Sequence, residues 1–137
     1  MAAEARAASQ ALEGEQRLAA QRLEAAALAG EVPANLVGLL EKVLTASLQG
    51  GRARHLYRAE GERTLVQLLL RTPMGQQMQS QVGLVNQALG TLTGRPIEEA
   101  RVAMRAPGHF RFDLKAGSVN IALSFNPNGV SVEALST

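Results

Sequence analysis

From residue 99 onward, apolar side chains occupy every second position of four consecutive segments. The alternating apolar residues are Ala100, Val102 and Met104, then Phe110, Phe112 and Leu114, then Val119, Ile121, Leu123 and Phe125, and finally Val130, Val132 and Ala134. Because successive side chains of a strand point to opposite faces, this period separates an apolar face from a polar one. The pattern predicts an antiparallel meander of four strands over 99–135, with turns at 107–108, 116–117 and 126–129.

Two registers remain open for the first hairpin of this meander, because cross-strand partners must point to the same face. A loop over 106–108 pairs Arg101 with Asp113, and such opposite charges favour a pairing by up to ~1 kcal/mol. A loop over 107–109 pairs Arg101 with Lys115, but it places the proline at a better turn position. Charge and proline geometry therefore favour different registers.

Helices are predicted for most of the chain before residue 93. Residues 3–29 are rich in Ala, Leu, Glu, Gln and Arg, which favour helix, and they end at Gly30. Residues 34–49 repeat their apolar side chains at the helical period, and a glycine pair follows them. Residues 73–92 follow Thr72, a good helix N-cap, and begin with proline, which is favoured at the first helical position.

The segment 53–71 admits two interpretations. Residues 60–63 separate two stretches that could form a hairpin, although 64–71 could also be a short helix. A helix running directly into Pro73 would have to break there, so we expect the hairpin. The predicted fold class is then α+β in a single domain over 1–137, of which residues 1–30 could form a helical arm.

Composition narrows the class of protein. The 137 residues are 46% hydrophobic and 19% charged, as in ordinary globular domains, and they include no cysteine. The chain therefore has no disulfide, zinc–thiolate site or cysteine nucleophile. The early acidic residues do not fit a signal peptide, and no apolar run is long enough to cross a bilayer. We expect a cytoplasmic protein with no membrane partner.

The sequence offers no pattern typical of catalysis. His55 and His109 are its only histidines, and neither has acidic neighbours at metal-ligand spacing. The adjacent Glu98 and Glu99 cannot converge on one substrate from a regular element. Neither a nucleophile elbow nor a phosphate-binding glycine loop is present. We therefore expect a protein that is not an enzyme, with no cofactor and no metal.

Positive charge is concentrated in the middle of the chain. Residues 50–115 hold 10 basic and 5 acidic side chains, although the whole chain has a net charge of only +2. Six basic residues could share one face of the sheet and contact nucleic-acid phosphates: Arg101, Arg105, Arg111, Lys115, Arg54 and Arg58. The phenylalanines fall on the apolar face, so base stacking is not expected. A solvated face, with Asp113 pairing one arginine, is the alternative.

A second hypothesis is binding to a protein partner or to another copy of the chain. Leu12 and Leu23 belong to a narrow apolar stripe on the first helix, which buries little by itself. Gln77 and Gln81 belong to a polar, largely uncharged face of the helix over 73–92. Both features suit a surface that meets another protein. We expect a macromolecular interaction module, with protein binding preferred to nucleic-acid binding.

Residues 33–106 resemble the small KH-like modules of bacterial replication proteins, such as the replication initiator N-terminal domain and the polymerase III tau C-terminal region. The resemblance rests on the order helix, strand, strand, helix, strand. Its segments are "ANLVGLLEKVL", "GERTLVQLLLRTP" and "QVGLVNQALGTLTGRPIEEARVAM". Such modules bind proteins and in some cases nucleic acid, so the resemblance implies a binding function. It assigns no functional residue to this chain.

Overall fold

Helices occupy most of the first 90 residues and an antiparallel sheet follows, which confirms the predicted α+β class. The computed structural model describes residues 1–137. The elements are α1 (Ala2–Ala11), α2 (Gly14–Ala29), a short 3-10 helix (Ala34–Leu36), α3 (Val37–Gln49), α4 (Arg52–Leu69), α5 (Pro73–Gly90), β1 (Glu99–Ala106), β2 (His109–Ala116), β3 (Val119–Asn126) and β4 (Gly129–Ser136). Contacts group them into two compact units, Met1–Gly75 and Gln76–Thr137.

The single helix predicted over 3–29 is wrong, because the chain breaks between α1 and α2. Leu12 is extended, and Gly14 adopts a φ of 58°, which glycine accommodates without steric cost. Arg6 Nε lies 2.6 Å from Glu24 Oε1, so α2 folds back along α1. Ala5 and Leu23 are fully buried in the core of the first unit. Residues 1–30 therefore contribute to this core.

The hairpin predicted over 53–71 is also wrong, because these residues form α4. Leu65 and Leu69, four residues apart, lie on one helix face and are buried in the same core as α3. The helix does not run into Pro73, since it ends at Leu69 and a short turn intervenes. Thr72 Oγ1 accepts a hydrogen bond from Gly75 N at 3.2 Å, so the predicted N-cap is present.

The four strands form the predicted meander in the order β1-β2-β3-β4. Arg101 pairs with Asp113, as the charge argument favoured, yet the turn contains only two residues, Pro107 and Gly108. A bulge at Arg105 satisfies both the charge pairing and the proline geometry. The extra residue keeps Arg101 opposite Asp113 on the same face, and Pro107 takes the first central position of the turn. The next turn lies at 117–118, one residue later than predicted.

Helix α5 supplies the cover for the apolar face of the sheet. Its buried residues Val85, Ala88 and Leu92 belong to one core with a set of sheet residues, which are Leu114, Ala116, Val119, Ile121 and Leu123. These sheet residues all lie on β2 and β3. The core of the second unit is therefore centred on the two inner strands, and β1 contributes no buried residue to it.

Candidate protein interaction surface

Part of the apolar face of the sheet is exposed. Val102 and Met104 on β1 are 64% and 68% exposed, and Phe110 and Phe125 are each 40% exposed. Met104 pairs with Phe110, which in turn pairs with Phe125, so these side chains are neighbours across three strands. We call these four residues the apolar strip. Contiguous exposed apolar surface of this kind is typical of interaction sites.

The edge strand β1 adds unpaired backbone groups to this surface. It pairs only with β2, and seven of its eight residues are exposed. Its pairing is regular from Glu99 to Met104, and it contains no proline. The opposite edge, β4, is interrupted near Glu133, where the register to β3 shifts. The bulge of β1 at Arg105 lies near the end of the strand, whereas that of β4 interrupts its middle, so β1 offers the longer regular edge to another strand.

On the polar face, the predicted basic residues are largely engaged in ion pairs. Glu133 accepts two hydrogen bonds from Arg105, at 2.7 and 3.0 Å, and its Oε2 lies 3.3 Å from Arg111 Nη1. Arg111 Nε also donates to Asp113 at 2.7 Å, and this hydrogen bond raises the pKa of Arg111. The two arginines and two carboxylates form one network with no net charge.

The remaining charges on this side of the sheet also nearly cancel. Lys115 Nζ lies 3.3 Å from Glu98 Oε2. Arg101 and Glu99 have no ion-pair partner within 4 Å, and they carry opposite charges. Counting Glu98, the four predicted basic residues therefore share this region with four acidic ones. The surface offers far less net positive charge than the arginines alone suggested.

Arg54 and Arg58 do not extend this face. Their proposed position depended on the hairpin over 53–71, whereas they lie on α4 in the first unit. Arg54 Nε is 3.8 Å from Glu62 Oε2, and Arg58 has a φ of 58° at a kink in the helix. The six predicted nucleic-acid contacts are thus divided between the β1–β2 hairpin and α4, which belong to different units.

The predicted protein-contact residues have different surroundings. Gln77 is exposed, whereas Gln81 is half-buried and its Oε1 has no hydrogen-bond partner. Gln81 Oε1 lies against Gly129 at the start of β4, so this side chain packs within the second unit. Leu23 is fully buried and cannot contact a partner, while Leu12 is half-buried beside a groove described below.

Comparisons with known proteins found no match from which a function could be inferred. No protein-family model matches the chain, and neither the curated proteins nor the solved structures include a significant match. The resemblance to KH-like modules therefore stays a prediction. None of the helices has the length and apolar character required to cross a bilayer.

Proposed function

We propose that the chain is a non-catalytic, cytoplasmic protein interaction module that associates with a second copy of itself through β1. The observation that carries this proposal is the unpaired edge strand β1, which is regular from Glu99 to Met104 and whose Val102 and Met104 are exposed to solvent. Joining two such edges would satisfy their backbone groups and cover apolar surface at the same time. The cytoplasmic location rests on the sequence features given above.

Face matching and charge select one register for this pairing. In an antiparallel pair of identical strands, partners share a face only if the two-fold axis passes through a residue position, not midway between two. Axes at Val102 and at Ala103 each align seven residues of β1. The axis at Ala103 would place Arg101 opposite Arg105 twice, whereas the axis at Val102 places Glu99 opposite Arg105 twice.

Opposite charges across strands are favourable by about 0.2–1 kcal/mol per pair, and like charges are unfavourable. The axis at Val102 is therefore preferred. It also aligns Val102 with its own copy and Met104 with Ala100, so the exposed apolar residues of β1 meet each other. Glu99, which has no ion-pair partner within one chain, would share Arg105 with Glu133 in the pair of chains.

Self-association is preferred to nucleic-acid binding because of the charge balance on the polar face. Arg105 and Arg111 share Glu133, and Arg111 also pairs with Asp113, so a phosphate backbone would have to compete with these carboxylates. Affinity for nucleic acid depends mainly on cations that can neutralise phosphates. Arg101 alone among the four sheet cations is free of such a partner.

Light scattering on the full chain tests this function. We expect the mass to approach twice the 14.5 kDa of one chain at high concentration and to fall towards 14.5 kDa on dilution. Val102→Lys should shift dissociation to at least tenfold higher concentration, because two positive charges would oppose each other at the axis. The residue is exposed, so the substitution should leave the melting temperature nearly unchanged.

Leu18→Lys is the matched control, since Leu18 is also exposed but lies on α2. It should leave the self-association unchanged. A wild-type chain that remains a monomer at every concentration would contradict the proposal. A dimer that Val102→Lys does not weaken would place the interface elsewhere and would equally contradict it.

A further inference from the structure

The first unit contains an open groove of about 630 Å³ between α1, the start of α2 and α3. Its lining follows one face of α1 and one face of α3 at helical spacings, and consists of Glu4, Ala7, Ala8, Ala11, Leu12, Gln16, Ala19, Asn35, Leu36, Leu39, Lys42, Val43, Ala46, Ser47 and Arg52. The five alanines leave space that larger side chains would fill. This volume lies within the range of sites for small molecules.

The two ends of the groove differ in chemistry. Most of its length is lined by alanine, leucine and valine, whereas Glu4, Ser47 and Arg52 lie together at one end. Glu4 is only 3% exposed, and its carboxylate accepts hydrogen bonds from Tyr57 Oη at 2.6 Å and Arg52 Nε at 3.2 Å. The negative charge of Glu4 is therefore already compensated within the protein.

Positive charge in the lining and one buried hydroxyl at this end could meet a ligand. Arg52 is half-exposed, and its Nε is its only nitrogen paired with Glu4. Lys42 also lines the groove, is exposed, and has no ion-pair partner. Ser47 Oγ is buried beside the Glu4 carboxylate and has no hydrogen-bond partner within 3.5 Å. An unsatisfied buried hydroxyl costs about 1–3 kcal/mol, which a ligand atom could recover.

We propose that this groove binds a single-chain amphiphile with an anionic head group, such as an alkyl carboxylate. The alkyl chain lies along the alanine-lined walls, the carboxylate lies near Arg52 and Ser47, and Lys42 lines the groove between Leu36 and that end. From Leu36 to Ser47 the helix rises by ~16 Å, at about 1.5 Å per residue. That length matches an extended chain of roughly twelve carbons.

The charge of the lining selects the head group. Lys42 and Arg52 contribute two positive charges and Glu4 one negative charge, so the lining is net positive by one. This net charge attracts a carboxylate to the groove and disfavours a cationic head group. Apolar walls alone would not distinguish between the two, so head-group preference separates a specific site from general hydrophobic binding.

Calorimetric titration of the full chain with dodecanoate, below its micellar concentration, tests the proposal. We expect saturable binding of one molecule per chain. Dodecyltrimethylammonium should bind at least tenfold more weakly. Ser47→Ala should weaken dodecanoate binding about fivefold and leave the protein folded, since it removes a single buried hydroxyl. Val102→Lys should bind dodecanoate as the wild type does, because β1 belongs to the other unit.

Filling the groove provides the second arm of this test. Ala46 lines the groove and is exposed, so Ala46→Phe should reduce dodecanoate affinity at least tenfold. Ala25 is an exposed helical alanine outside the lining, and Ala25→Phe should have no effect. Circular dichroism establishes that both variants are folded, and Ala11→Phe replaces Ala46→Phe if that variant is not.

Three outcomes would overturn the proposal. One is equal affinity for the anionic and cationic amphiphiles. Another is unchanged dodecanoate binding in the folded Ala46→Phe or Ala11→Phe variant. The third is absence of dodecanoate binding together with binding of an amphipathic helical peptide, which would assign the groove to a protein partner.

Discussion

Gly75→Ala is expected to lower the free energy of unfolding by about 1–3 kcal/mol, the usual cost of overpacking a well-filled interior. Gly75 is buried in the first turn of α5. A methyl group there would overlap the carbonyl oxygen of Leu69 and would lie 2.7 Å from Leu70 Cα. Both atoms belong to the backbone at the end of α4, so relief requires a movement of the helix and not a rotamer change.

Gly83→Ala is the matched control on the same helix. Nothing lies within 4 Å of the methyl group that it would add, so only the helical preference of alanine changes. The free energy of unfolding should rise by about 0.5–1 kcal/mol. Urea unfolding of both variants tests whether the two substitutions change the free energy of unfolding in opposite directions. If both substitutions stabilise the protein equally, the close approach of Gly75 to the end of α4 is contradicted.

Glu4→Ala is expected to lower the free energy of unfolding by about 2–3 kcal/mol. The substitution leaves Tyr57 Oη and Arg52 Nε without their acceptor, and hydrogen bonds to charged groups contribute about 1.5–3 kcal/mol. Arg52 is half-exposed and can turn to water, so most of the loss comes from Tyr57 and from the space left in the core. Thermal and urea unfolding measure the change.

Glu24→Ala provides the control, because Glu24 forms an ion pair of similar length with Arg6 on the surface. Exposed pairs contribute about 0–1 kcal/mol, so this loss should be clearly smaller. Equal losses in the two variants would contradict a structural role for the buried carboxylate.

The same carboxylate predicts how stability depends on pH. Burial acts to raise the pKa of Glu4, but the hydrogen bond from Tyr57, the nearby Ser47 hydroxyl and the charge of Arg52 hold it below the usual 4.5. A carboxyl whose pKa is lower in the folded state contributes stability above its unfolded pKa. That contribution should be complete above about pH 5 and should decline as the pH falls through the folded pKa.

Measuring the free energy of unfolding of the wild type and of Glu4→Gln between pH 7 and pH 3 isolates the contribution of the ionised Glu4 carboxylate. The wild type should lose more stability than the variant over that interval, because the amide does not titrate. Parallel pH profiles would show that Glu4 is not held in its charged form by its neighbours.

The sheet could be predicted from the sequence because its signal is local. A period of two fixes which face each side chain occupies, and the opposite charges of Arg101 and Asp113 indicated the correct register. The bulge at Arg105 was missed, since both registers considered kept the strands regular. Residues 60–63 can be read as a turn and Pro73 disfavours a helix running into it, so the sequence favours strands over 53–71, although the buried Leu65 and Leu69 follow helical spacing.

Which apolar residues remain exposed depends on how segments distant in sequence pack together, and the local sequence pattern does not show this packing. Phe110 and Phe125 lie on the predicted apolar face. They are partly exposed because the core under α5 is formed by other residues of β2 and β3. In the sequence, the alanines of α1 belong to a stretch that is rich in helix formers, and they lie outside the predicted apolar stripe. Their significance as a groove wall emerges only when α1 folds beside α3, and no local signal places Glu4 next to Tyr57.

Because the chain contains no cysteine, a single introduced thiol reports directly on the association through β1. Paired residues of adjacent antiparallel strands have Cα atoms about 4.5–5.5 Å apart, within the range that a disulfide spans. Mild oxidation of Val102→Cys, followed by mass measurement, should yield the covalent dimer rapidly. Ala103→Cys, one residue further along β1, should cross-link far more slowly. Equal cross-linking at both positions, or none at residue 102, would contradict the proposed two-fold pairing of β1.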